Sequence, residues 1–146
     1  MFAQLNTTDP TIWRQILKTM FQTLPAITDA GYTGYGTTDG GLGLIFIQPN
    51  GTNETLTSIF APLYELAALP NVSAQVGSME FPSWLDYTTV FLQDPNIATN
   101  VQDASRLLTA EVLREKADEL VDLVLECPEA GAGFNFSELI PSSNMG

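Results

Sequence analysis

The sequence predicts an α+β fold: an antiparallel or mixed β-sheet with helices packed on one face. Residues 31–50, GYTGYGTTDGGLGLIFIQPN, read as two strands joined by a tight turn. Helical segments lie on both sides of this hairpin, each with one apolar stripe that needs a sheet to cover. Shorter strand patterns return later in the chain, which favours antiparallel or mixed pairing.

Within the hairpin, Asp39-Gly40-Gly41 supplies the positive φ angles that a tight turn needs. Leu42 to Gln48 is an uncharged run bounded by Gly41 and Pro49. It has the composition of a central strand with both faces covered. Tyr32 and Tyr35 bracket Gly34 in the preceding strand. A glycine there marks close approach of a backbone or a ligand, or else tight packing or a bulge.

The spacing predicts a first helix over residues 8–28. Thr8 or Asp9 can cap it, and Pro10 suits the first turn, where its missing N–H is no loss. Trp13, Ile16, Leu17, Met20 and Leu24 share one side, and Arg14, Gln15, Lys18 and Gln22 the other. Pro25 weakens the last turn and Gly31 ends the element. Met1 to Leu5 lack the basic and apolar regions of a secretory signal.

After the hairpin, Asn53 is expected to cap a second helix, with Glu54 at its positive end. Leu56, Ile59, Phe60, Leu63, Leu66 and Ala67 form its stripe, and Pro62 requires a kink or a restart. Val72, Ala74 and Val76 alternate with Ser73, Gln75 and Gly77 as a half-exposed strand reaching about Glu80 or Phe81. Phe81 to Tyr87 is an aromatic-rich turn into a short helix. Asp94-Pro95-Asn96 opens a loop, and residues 105–108 read as a short strand or strand edge. Thr109 caps a helix reaching Glu126, with a stripe of Leu113, Ala117, Leu120, Val121 and Val124. Its outer carboxylates, Glu111, Glu115, Glu119 and Asp122, read as a solvated face rather than a metal site. Pro128 stops that helix, and residues 132–140 read as the last strand.

The chain of 146 residues suits a single domain over 1–146, with 45% apolar and 15% charged residues. Its net charge of −12 repels phosphate backbones and anionic lipid, so neither nucleic acid nor a membrane surface is an expected partner. No apolar run approaches the roughly 20 residues of a membrane span. The chain has no histidine and one cysteine, Cys127. That excludes a Ser-His-Asp triad, a Cys-His dyad and a His-ligated metal within it. Five N-x-S/T triplets, at Asn6, Asn50, Asn53, Asn71 and Asn135, point to a secreted or secretory-pathway glycoprotein.

Several stretches together resemble the FAD-linked oxidoreductases related to berberine bridge enzyme, particularly the fungal members. These are Asp29 to Gly36, Phe46 to Asn50, Phe81 to Trp84, Ser105 to Leu108 and Gly133 to Glu138, in order along nearly the whole chain. In that family a PCMH-type FAD-binding domain comes first, and a substrate domain built on an antiparallel sheet covers the flavin. The resemblance implies that this chain is most of the substrate domain, without the FAD-binding domain. The glycine-rich pyrophosphate loops and the family's tethering His and Cys are absent, as is the family's closing segment after Gly146.

The implied function is therefore part of an FAD-dependent oxidoreductase that oxidises a small metabolite in secondary metabolism. FAD is implied by resemblance and is not expected to be held by this chain alone. The alternative is a non-catalytic small-molecule-binding or interaction module, or a relic of that domain. Implied partners are a small-molecule substrate, a separate FAD-domain chain, or a second copy across an uncovered sheet face. Asn135 and Ser137 of the last strand are the expected substrate contacts, since alternate residues share a face. Either Leu44, Phe46 and Gln48 or Ile45 and Ile47 face the flavin, and Gln48 favours the first set. Tyr32, Tyr35 and Arg106 complete the expected substrate-binding residues.

Overall fold

A computed structural model describes residues 1–38, 40–49, 51–91, 107–126 and 133–136, with Asn53, Phe91 and residues 133–136 described by their backbone alone. The chain separates into two compact units: one of Met1–Gly77 with Leu108–Gly146, the other of Ser78–Leu107.

The first unit holds an antiparallel five-stranded sheet in the order β4-β1-β3-β2-β5. Its strands are β1 (Phe2–Asn6), β2 (Thr33–Thr37), β3 (Leu42–Ile47), β4 (Ser73–Gly77) and β5 (Gly133–Phe136). The α+β reading holds, and β3 is the central strand. Strand β1 is an addition to the expected elements, which began with the helix over residues 8–28. It lies between β3 and β4, pairing Ala3 with Leu44 and with Val76. Five residues with no turn beside them are a weak local signal, although Ala3 and Leu5 do alternate with Gln4 and Asn6.

Helix α1 (Pro10–Asp29) starts at Asp9, whose carboxylate accepts from the Thr11 and Ile12 amides at 2.8 and 3.2 Å. It runs through Pro25, and Gly31 follows it with φ of +82°. The break near Pro62 is real: α2 (Asn53–Ile59) and α3 (Ala61–Ala67) are separate helices. Thr52, not Asn53, caps α2, because the Thr52 and Thr55 hydroxyls close a reciprocal capping box with each other's amides. The last long helix divides into α5 (Ala110–Glu115) and α6 (Ala117–Glu126), with Thr109 capping α5 as expected.

These helices cover one face of the sheet. Ala3, Leu5, Leu42, Leu44 and Phe46 meet Ile16, Leu17, Met20 and Phe21 of α1, Leu63 and Leu66 of α3, and Ala117 and Val121 of α6 in one core. Arg14–Asp122 and Lys18–Asp118, each at 2.6 Å, join the exposed rims of α1 and α6. Exposed pairs of this kind add little to stability and mainly set register between helices.

In the second unit, α4 (Trp84–Phe91) begins where Ser83 hydrogen-bonds Asp86 and its amide. Phe81 and Trp84 pack against the Tyr87 ring with centroids 5.6 and 5.0 Å away. This is the expected aromatic turn into a short helix. Leu107 and Leu108 carry no regular structure, and the rest of the expected strand at 105–108 lies outside the described residues.

Candidate functional site

Antiparallel register assigns every sheet residue to one of two faces. On β3, Leu42, Leu44 and Phe46 face the helices and are buried, whereas Gly43, Ile45 and Ile47 face outward and are half-buried. The expectation that Leu44, Phe46 and Gln48 form the outward set is therefore corrected to Ile45 and Ile47. Both sets are apolar, so β3 alone does not reveal which one the helices take.

The outer face continues across the neighbouring strands. Register places Thr33, Tyr35 and Thr37 of β2 beside Ile47, Ile45 and Gly43. Phe2 of β1 lies beside Ile45, and Gln4 beside Gly43. Ser73, Gln75 and Gly77 of β4 complete the face opposite Asn6, Gln4 and Phe2. The Phe2 ring lies over Gly77, where an added Cβ would sit 2.8 Å from the ring. An aromatic ring shielding a strand glycine in this way protects the exposed backbone.

Two of the expected site residues are brought together here. Tyr35 is the register partner of Asn135 on β5 and of Ile45 on β3, and its side chain is 39% exposed. Tyr32, Phe46 and Gln48 lie on the helix side instead. The Tyr32 ring meets Phe60 edge-on at 5.0 Å, and Phe46 meets Phe60 at 4.9 Å. Tyr32 is 3% exposed and its hydroxyl has no partner among the described residues. The Gln48 amide donates to the Ala30 carbonyl at 2.7 Å, tying the end of α1 to the end of β3. Its Oε1 is buried without a partner among the described residues. Arg106 and Ser137 lie outside the described residues, as do Cys127, Asp39 and Asn50.

Phe2 and Gln4 share the outer face with Tyr35 and Ile45, and were not among the expected residues because β1 was missed. The period-two pattern of Phe2 to Asn6 was the available signal.

Among the described residues, no three His, Cys, Asp or Glu side chains converge on a metal site, and no helix is long and apolar enough to cross a membrane. The described cations Arg14, Lys18, Arg114 and Lys116 each pair with a carboxylate: Asp122, Asp118, Asp29 and Glu119. The Arg14 hydrogen bond holds the Asp122 carboxyl below its ordinary range.

The chain is related to an FAD-linked oxidoreductase. It is 46% identical over 139 residues to an Arthroderma benhamiae protein named "Uncharacterized FAD-linked oxidoreductase". The match takes in 91% of this chain and 25% of that protein, so the chain spans about a quarter of the length of the curated relative it matches. No family model and no solved structure matches the chain.

Proposed function

We propose that this chain is the substrate-covering portion of an FAD-dependent oxidoreductase related to berberine bridge enzyme, acting on a small metabolite in secondary metabolism. The observation that carries this reading is the 46% identity over 91% of the chain to a quarter-length segment of a protein named as FAD-linked. The antiparallel sheet supports it, because the described helices pack on one face and the other presents Ile45, Ile47 and Tyr35 near its centre.

The described residues suit one end of FAD and not the other. Ile45, Ile47 and Tyr35 form an uncharged, partly apolar surface on which a flat ring can rest. A pyrophosphate needs cations or clustered backbone N–H groups. Every described Lys and Arg side chain is already paired with a carboxylate. The cofactor's phosphates are therefore held elsewhere, by another part of a longer polypeptide or by a separate chain. When bound, the flavin supplies the electron acceptor, and this chain orients the substrate and excludes water. Asn71 is exposed, as a glycan acceptor must be, which supports passage through the secretory pathway.

The test is a hybrid in which this chain replaces the matching segment of the Arthroderma benhamiae protein. A folded hybrid is expected to keep the visible flavin absorption of its parent, whereas the isolated chain mixed with FAD stays colourless. A hybrid that folds by circular dichroism and loses its flavin overturns the reading. Tight FAD uptake by the isolated chain overturns the division of the cofactor between two parts.

A further inference from the structure

We infer that Asn71 is an acceptor of an N-linked glycan in the folded chain, and that Asn6, in a triplet of the same kind, is not. This rests on the secretory-pathway reading above, and it goes further by choosing between two acceptors.

Asn71-Val72-Ser73 lies in the link between α3 and β4. The Val72 amide donates to the Leu69 carbonyl at 3.3 Å, closing a four-residue turn over Pro70 and Asn71. Proline presets the first central residue of such a turn, and asparagine tolerates the positive φ of the second. Asn71 has that conformation, with φ of +66°. The turn is made by chain neighbours, so it does not depend on the sheet. In the folded unit Asn71 and Ser73 are both exposed, so the acceptor and the hydroxyl residue of the triplet lie together at the surface. Ser73 opens β4, which ends the described strand order, so a glycan on Asn71 stands at the margin of the sheet.

Asn6 is placed differently. It ends β1, an inner strand, as the register partner of Ser73. Its side-chain amide donates to the Gly40 carbonyl at 3.0 Å. A Cβ on Gly41 would fall 3.5 Å from the Asn6 Cγ, so this amide is packed onto the hairpin turn. In the transfer, Nδ2 bonds the anomeric carbon of an oligosaccharide carried on a lipid diphosphate. The carbon–oxygen bond to the diphosphate breaks, and the amide gives up one proton. On Asn6 the new sugar would have to displace the turn that Nδ2 now meets. A chain modified there before folding loses the contact between β1 and the hairpin turn.

The test expresses the 146-residue chain in yeast behind a cleavable secretion leader. The secreted protein is deglycosylated enzymatically in heavy-oxygen water, which tags each formerly occupied asparagine, and its peptides are mapped by mass. The tag is expected at Asn71 in most molecules and at Asn6 in few. Ser73→Ala destroys one triplet and keeps Asn71 in its turn, so it should remove one glycan by gel mobility. Thr8→Ala destroys the other and should remove none. If the isolated chain is retained in the cell, the Arthroderma benhamiae hybrid is mapped in its place. The inference is overturned if Asn71 is untagged, or if Asn6 is tagged as often as Asn71. The leader imposes entry into the secretory pathway, so the mapping reads the choice of acceptor alone. A glycan-free protein in its own organism would sink the secretory reading and leave that choice standing, so the two failures are separable.

Discussion

Gly34 lies against the main chain of Ile45 with no room for a side chain. A Cβ at position 34 would fall 2.0 Å from the Ile45 carbonyl oxygen and 3.0 Å from the Phe46 Cα. Of the two meanings open to a glycine between tyrosines, the structure selects close approach of a backbone. Gly34→Ala must push β2 away from the central strand, at a cost of about 3 kcal/mol. Gly43→Ala on the same strand pair is the control. Among the described residues its Cβ would meet only the Thr37 hydroxyl, at 3.4 Å. It should cost less than about 1 kcal/mol. Urea unfolding midpoints of the two variants check the difference, and equal midpoints would contradict it.

Phe60 is fully buried between Tyr32 and Phe46, so Phe60→Ala leaves a cavity under both rings. The expected loss is about 3–5 kcal/mol. Tyr32→Phe behaves differently. It removes a buried hydroxyl that has no partner among the described residues and keeps the ring contact. The change should be neutral to stabilising, within about 1 kcal/mol. Thermal unfolding of the two variants separates these effects. A large loss in Tyr32→Phe would show that the hydroxyl is bound in solution.

From about pH 8 downward, two groups give the stability a pH slope in the same direction. The Asp122 carboxyl is lowered, first by its hydrogen bond from Arg14. The pair's contribution is present above the unfolded aspartate value and is lost as pH falls through the lower folded value. In the chain with Met1 as its free terminus, the α-amino group donates to the Phe46 carbonyl at 2.8 Å, and burial lowers its pKa. The unfolded chain therefore takes up that proton first as pH falls. Stability declines below about pH 8, then levels once the folded amine is also charged. Urea midpoints measured across both windows should fall on acidification. Acetylating Met1 should remove the upper slope, and Asp122→Asn should flatten the lower one. The exposed Asp122 pair should fade in high salt.

How far the chain could be read beforehand differs from element to element. Helix α1 was legible because its cap, its first-turn proline and its stripe all lie within one stretch. The break at Pro62 was legible because proline removes a specific hydrogen bond. The break at Lys116 was not, since residues 110–126 keep one continuous stripe and contain no proline or glycine. For the site, Tyr35 and Asn135 were each expected to contact substrate, but their pairing across β2 and β5 was not anticipated, since it joins distant parts of the chain. Tyr32 and Gln48 were expected to meet substrate, but the structure uses them under the helices, at the end of α1.

By itself the sequence determined the fold class, the hairpin with its glycine turn, most helix limits and the absence of histidine chemistry. Each depends on residues close in the chain, through caps, periodicity or composition. The tertiary structure alone decided that β1 enters between β3 and β4, and that Ile45 and Ile47, not Leu44 and Phe46, face outward. The physical reason is that β3 is apolar on both faces. Burial of either set would satisfy its local pattern, so the choice falls to the distant helices and to the strands on either side.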